Sequence, residues 1–197
     1  MNTDAHVVRV AAVVPAAGRA SRFGAQKLLA DVRGIPLIVR TLTSLAHGGV
    51  AHIVVVQSAD RPLEGIDAFP GLPIALVTNS DPDRGMFSSI QAGLTAVAAP
   101  TILVLPADMP AVAPATIASV AARSAITGAV VVPSCLGRRG HPVALPGTLR
   151  EGLLMADPRS TLKQELGRLP TAIVEHEVED AGILRDVDVP DDLRTLG

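Results

Sequence analysis

Five short runs of Val, Ile, Leu and Ala constrain the fold of this chain more than any other feature. They are "HVVRVAAVV" (6–14), "AHIVVVQ" (51–57), "PIALVTN" (73–79), "TILVLPAD" (101–108) and "GAVVVPS" (128–134). None alternates apolar with polar residues, so each reads as a strand buried on both faces, as in a parallel sheet. Helical spacing fills the intervals. Ile38, Leu42 and Leu45 fall at i, i+4, i+7 within 36–47, and Ile90, Leu94 and Val97 repeat that spacing within 88–98. Ser88 or Ser89 is expected to cap the second of these helices. Residues 114–125 open on a proline, which suits a first helical turn. Alternation of this kind predicts an α/β fold, with a mostly parallel sheet flanked by helices on both faces.

The pattern changes after residue 133. A turn-rich basic segment precedes a short apolar strand at 142–145, which reads as a hairpin or as an excursion at the sheet edge. Helices are expected at 147–155 and 160–169, then a last strand at 171–178. The closing stretch "ILRDVDVPDDLRTLG" reads as a strand-like run followed by a short helix from Pro190. The stretch 60–73, rich in Pro and Gly, reads as a connection.

Length and composition narrow the function. A chain of 197 residues can bury one core without staples, so a single domain over 1–197 is expected. With three Phe and no Trp or Tyr, it lacks the aromatic faces of a base-stacking nucleic-acid platform. A net charge of -2 gives no global field for a polyanion, so phosphate must be caught locally. The single Cys135 excludes an intrachain disulfide and a multi-cysteine zinc site. No signal-peptide layout or membrane-length apolar stretch is present, so a cytoplasmic protein is expected.

The local phosphate trap is "PAAGRASRFGAQK" (15–27), directly after the first strand. Loops at the C-terminal ends of parallel strands are where ligands gather. Gly18 and Gly24 permit close backbone approach, while Arg22 offers a planar fork and Lys27 a mobile point charge. The spacing is not that of a P-loop, because five residues separate the glycines and two stand between Gly24 and Lys27. The G-x-G-x-x-G dinucleotide fingerprint is absent as well.

The run "AAGRASRFGAQK" resembles the A-A-G-x-x-x-R-x-G-x-x-K signature of nucleotidyltransferases. Five further segments, in order, resemble the molybdenum cofactor nucleotidyltransferase family: "KLLADVRGIPLIVRTL" (27–42), "NSDPDRGMFSSIQAGL" (79–94), "LVLPADMPAVAPATI" (103–117), "GRRGHPVAL" (137–145) and "DVDVPDDL" (186–193). The resemblance implies a Rossmann-like, nucleotide-diphospho-sugar transferase type of fold. In it, roughly 1–110 would bind nucleotide, and roughly 111–197 would bind acceptor. It further implies that Ala16, Ala17, Gly18, Arg19, Arg22, Gly24 and Lys27 hold the triphosphate, with Asn79, Gly85, Met86, Ser88 and Ser89 at the nucleotide. Arg22, Lys27 and Asp108 would be catalytic. Asp108 and Asp188 would hold Mg²⁺, ahead of Asp186. Arg138, Arg139 and His141 would meet the acceptor.

Ala17 before Gly18, where the guanylyl branch carries a second glycine, and the G-H-P segment resemble the cytidylyl branch, implying CTP and molybdopterin as substrates. A molybdoenzyme or its maturation chaperone would be the protein partner. Pro15, Ala20, Phe23 and Val189 depart from the usual Leu, Ser, Met and Thr, which bears on the acceptor rather than on the phosphate site. Two other readings stay open. One is a transferase using GTP or another NTP and a sugar or polyol phosphate. The other is a non-catalytic nucleotide- or cofactor-binding chaperone.

A phosphate-monoester acceptor is already largely dianionic at neutral pH and brings its own nucleophilic oxygen. The absence of a recognisable triad among five scattered histidines and one cysteine fits that chemistry.

Overall fold

The computed structural model describes residues 10–18, 27–66 and 69–188. Its core is a sheet whose centre is β1 (Val10–Pro15), paired in parallel with β4 (His52–Ser58) on one side and β6 (Thr101–Val104) on the other. Between β1 and β4 stand β2 (Asp31–Val32) and β3 (Ile35–Pro36), a separate small hairpin. Its two-residue turn places Arg33 and Gly34 at φ 56° and 83°, the positive values a primed hairpin turn requires. β5 (Ile74–Asn79) extends the sheet in parallel beyond β4.

On the other flank come β7 (Val130–Cys135), β8 (Arg138–Arg139), β9 (Val143–Pro146) and β10 (Ile173–Glu177), giving the order β10-β7-β9-β6-β1-β4-β5 with β8 against β7. The segment at 142–145 is therefore not an edge excursion. β9 runs antiparallel inside the sheet, with Val104 opposite Val143 on one side and Val131 opposite Ala144 on the other. Its burial on both sides explains why "VALP" is apolar throughout.

Among the described residues five helices cover the two faces: α1 (Leu37–His47), α2 (Met86–Thr95), α3 (Pro114–Thr127), α4 (Arg150–Leu154) and α5 (Leu162–Arg168). Alternate residues of β1 divide the core. Val10, Ala12 and Val14 pack with Ile38, Leu42, Leu45, Ile117 and Val120 of α1 and α3. Ala11 and Val13 face Phe87, Ile90 and Leu94 of α2, with Leu153 and Leu166 of α4 and α5. Every one of these side chains is buried, so the two predicted stripes are the faces that seat α1 and α2 on the sheet.

Three local expectations are corrected. α2 begins at Met86 rather than 88, behind Gly85 at φ 103°, and no side chain caps it. Ser88 instead donates to the Gly85 carbonyl and Ser89 accepts from Asn79. The run before Pro190 is not a strand: Ala181–Leu184 is a single 3-10 turn and 185–188 is irregular. β6 ends at Val104, although the Leu105 and Ala107 N–H groups still reach the Val13 and Pro15 carbonyls of β1, with Pro106 between them offering no donor. Residues from 189 onward, with the helix expected there, lie outside the described residues.

Close helix–sheet contact rests on Gly93. A Cβ there would stand 2.4 Å from Val13 Cγ1 and 2.9 Å from Val56 Cγ2, both on central strands that cannot move aside. Gly93→Ala is expected to cost about 1–3 kcal/mol by overpacking, despite alanine's better helix propensity. Urea unfolding of the two proteins measures it.

Candidate active site

The parallel arrangement puts the ends of β1, β4, β5 and β6 at one edge of the sheet, where loops and helix starts converge. A cavity of about 390 Å³ opens there. Pro15, Ala16 and Gly18 form one wall, Gly85, Met86 and Ser89 at the start of α2 another, and Lys27, Asp108 and Asp188 the polar end.

That polar end is a three-charge cluster. Lys27 sits in the 3-10 turn Lys27–Leu29 and is the buried member, with its side chain 8% exposed. Its Nζ donates to Asp108 Oδ2 at 2.9 Å and to Asp188 Oδ1 at 3.2 Å. Burial works against the lysine charge, but the hydrogen bonds and negative charges of Asp108 and Asp188 outweigh it and hold the pKa above the ordinary lysine value. Lys27 is therefore a cation at neutral pH. With a raised folded-state pKa, its stabilising contribution is complete below the ordinary lysine range and fades only as pH climbs through the raised value.

Backbone contacts fix the carboxylates. Thr41 of α1, fully buried, donates its hydroxyl to the Ala107 carbonyl at 2.9 Å, and Val187 N–H donates to the Asp108 carbonyl at 3.0 Å. The C-terminal tract is thus laid directly against the end of β6, and Asp188 follows its last anchored residue. Thr41 escaped the sequence reading. Its only signal there is a hydroxyl one residue before Leu42 on an otherwise apolar helix face.

The second wall is organised from behind. Asn79, buried at the end of β5, donates to Ser88 Oγ at 2.9 Å and Ser89 Oγ at 3.0 Å, and its Oδ1 accepts from Asp81 N–H. This joins the strand end, the 81–85 loop and the first turn of α2. The backbone N–H groups of a helix start make that wall a natural anion-facing surface.

Among the described residues, the structure brings together much of the expected set and places Arg138, Arg139 and His141 off the cavity wall. Ala16, Gly18, Lys27, Gly85, Met86, Ser89, Asp108 and Asp188 line the cavity. Ala17, Asn79 and Ser88 are buried close to it in sequence and support it. Arg19, Arg22 and Gly24 lie outside the described residues. Arg138 and Arg139 are exposed on β8, and Arg139 is paired with Glu175 of β10. His141 lies near the tip of β6 rather than on the cavity wall, its imidazole near the Val104 backbone and Nδ1 buried without a partner.

Burial lowers the His141 pKa, with the Val104 backbone and the charges of Asp108 and Asp186 opposing in part. A depressed histidine contributes stability at pH values above its unfolded pKa of about 6.5. That contribution is lost as pH falls through the lowered folded value. Wild type is expected to lose stability between pH 7.5 and 5 more steeply than His141→Gln, as read by urea titrations at the two pH values.

A family model described as the MobA-like NTP transferase domain matches residues 12–183. The chain belongs to that family. The MobA-like assignment accords with its relatives. A Chloroflexus aggregans protein named "Probable molybdenum cofactor guanylyltransferase" is 28% identical over 198 residues, covering 93% of this chain and 91% of its own. The 2-C-methyl-D-erythritol 4-phosphate cytidylyltransferase of Deinococcus radiodurans is 31% identical over 185 residues, covering 89% and 76%. Among solved structures, Rv0371c of Mycobacterium tuberculosis H37Rv superposes with a TM-score of 0.78 at 25% identity, covering 96% of this chain and 97% of its own. The MobA-like chain is thus a nucleotidyltransferase-type α/β protein. Among its described residues no helix is long and apolar enough to cross a membrane.

Proposed function

We propose that this protein transfers CMP from CTP to the phosphate of molybdopterin, releasing pyrophosphate and forming the cytosine dinucleotide of the cofactor. The observation that carries the reading is the Asp108–Lys27–Asp188 cluster at the end of a cavity whose other walls are a glycine-containing loop and a helix start. Family membership supports transfer of a nucleotidyl group, and the relatives' names span guanylyl and cytidylyl enzymes. The choice of CTP rests on Ala17 and on the Gly140-His141-Pro142 segment.

The residue roles follow the resemblance, and for the described residues they accord with the cavity lining. Backbone groups at Ala16–Gly18 and at the start of α2 border the cavity and would face the phosphates there, so little reorganisation would be needed as charge develops. Lys27, held cationic by the two aspartates, lies within the same space and would neutralise charge on the α-phosphate. Arg19 and Arg22, with Gly24, would complete the grip on the β- and γ-phosphates. Asp108 and Asp188 fit Mg²⁺, because hard carboxylate oxygens in a pair, completed by substrate phosphates, are what that ion prefers. When bound, Mg²⁺ would offset phosphate charge and favour departure of pyrophosphate. No general base is required, since the acceptor oxygen arrives already ionised and only in-line placement remains.

Arg138, Arg139 and His141 are assigned to the acceptor half of the chain, roughly 111–197 of a single domain. A molybdoenzyme or maturation chaperone would receive the product in the cytoplasm.

A second reading is favoured by the Deinococcus relative, whose name specifies a polyol phosphate acceptor. Pyrophosphate release measured over four NTPs, with molybdopterin and a panel of sugar and polyol phosphates, separates the two. Release with CTP and molybdopterin supports the proposal. Release with GTP moves it to guanylyl transfer, and turnover on a polyol phosphate alone replaces the acceptor. Tight nucleotide binding without turnover on any acceptor identifies a binding module. In the same assay Arg22→Ala is expected to remove most turnover, about a hundredfold or more.

A further inference from the structure

The sequence offers Asp180 no role, yet its carboxylate collects three hydrogen bonds from two separate parts of the fold. Oδ2 accepts from the Ala113 N–H and the Thr116 hydroxyl, each at 2.8 Å. Both donors belong to the start of α3, whose own N-cap, Ala113, has no side chain able to cap. A carboxylate delivered 67 residues later in sequence therefore satisfies orphan donors there, at the end of the helix where negative charge is favoured. Oδ1 turns the other way and accepts from the Gly182 N–H at 2.8 Å.

From Asp180 the chain is threaded with almost no freedom towards the cavity. A Cβ on Gly182 would stand 2.0 Å from the Ala111 carbonyl, so backbone lies on backbone there. Ile183 is fully buried, and its carbonyl accepts from His141 N–H at 3.0 Å. Val187, 2% exposed, donates to the Asp108 carbonyl. Asp188 then meets Lys27 at 3.2 Å, its own side chain 62% exposed. The backbone of the tract sets where that carboxylate stands beside Asp108.

We propose that Asp180 is a positioning residue for Asp188. It clamps the 180–187 tract to the start of α3 and so sets the distance between the Asp188 and Asp108 carboxylates. The proposal rests on the metal role given to Asp188 above. Supporting groups one step removed from metal ligands are commonly worth about 10–100-fold in metal affinity, while nucleotide contacts made by other walls are untouched. Loosening this clamp should therefore weaken divalent-cation binding selectively.

The test is Mn²⁺ affinity in the presence of CTP, read by electron paramagnetic resonance, beside CTP affinity without metal, read by calorimetry. The proteins are wild type, Asp180→Asn, Thr116→Val and Asp188→Asn. Thr116→Val is the milder variant, removing one of the three bonds while keeping the side-chain shape. The expected result is roughly tenfold weaker Mn²⁺ binding in Asp180→Asn, a smaller loss in Thr116→Val, and metal-free CTP affinity within about twofold of wild type. Turnover should recover at high Mg²⁺. Unchanged Mn²⁺ affinity in folded Thr116→Val and Asp180→Asn, beside a weakened Asp188→Asn, would overturn the positioning role alone. Equal loss of CTP and Mn²⁺ affinity would also overturn it, as general damage. Unchanged Mn²⁺ affinity in Asp188→Asn would remove the metal role itself, and the proposal with it.

Discussion

Asp108→Ala is expected to lower turnover about a thousandfold while leaving the protein folded. The side chain stands at the end of the cavity, 28% exposed, bonded to Lys27 and attached to a backbone that Thr41 and Val187 fix independently. Removing it deletes a charge from the proposed metal pair but opens no cavity in the core. A single well-placed electrostatic group acting on developing charge is worth about 10²–10³ in rate, and loss of the ion adds to that. The stability change should stay below about 2 kcal/mol, because Lys27 retains Asp188 and the main-chain bonds do not involve the carboxylate. Pyrophosphate release with CTP, Mg²⁺ and molybdopterin gives the first quantity, and urea unfolding the second. Near-normal turnover in the folded variant would remove Asp108 from the metal site.

Lys27→Met is expected to abolish turnover to a similar degree by a different route, and the two variants are told apart by their response to Mg²⁺. Methionine keeps the length and bulk of the stem but removes the ammonium that both Asp108 and Asp188 accept from. In wild type those carboxylates lie 2.9 and 3.2 Å from the ammonium. Stripping the cation from such a cluster should cost about 1–3 kcal/mol, below the figure for a fully buried pair because water reaches Asp188. Lower pH should restore part of the loss, since protonating either carboxylate relieves the repulsion. Added Mg²⁺ should also raise the variant's midpoint of thermal unfolding by binding the exposed pair. It should not restore turnover, because a cation between the carboxylates does not replace the one withdrawn from the phosphates. Restored turnover would show that Lys27 serves only to neutralise the aspartates.

Much of the α/β core was legible because strands buried on both faces leave continuous Val/Ile runs, and helices on a sheet leave stripes such as Ile38–Leu42–Leu45 and Ile90–Leu94. The insertion of β9 was not. Nothing local in "VALP" distinguishes a strand at an edge from one between β6 and β7, since that choice lies in pairings with residues as distant as Thr101 is from Pro146. The start of α2 was misread for a related reason. Two serines suggest a cap, but Gly85 turns the chain at a positive φ and the serines serve Asn79 instead.

At the site, Lys27, Asp108 and Asp188 were legible as charged residues in a recognisable order. Their mutual contact was not, because it depends on Val187 meeting Asp108 across 79 residues of sequence. Thr41 and Asp180 hold that geometry through bonds that leave no trace in spacing or composition. His141 was expected at the acceptor from its motif, and the fold gives it a half-buried position, with Nδ1 enclosed, beside Val104 and the two acidic segments.

The most direct test of the central claim is a crystal structure of the protein with CTP and Mg²⁺. The account predicts the triphosphate in the cavity between Gly18 and the start of α2, with Lys27 at the phosphates and the ion on Asp108 and Asp188. A triphosphate seated elsewhere on the sheet, or an ion bound without either aspartate, would contradict it.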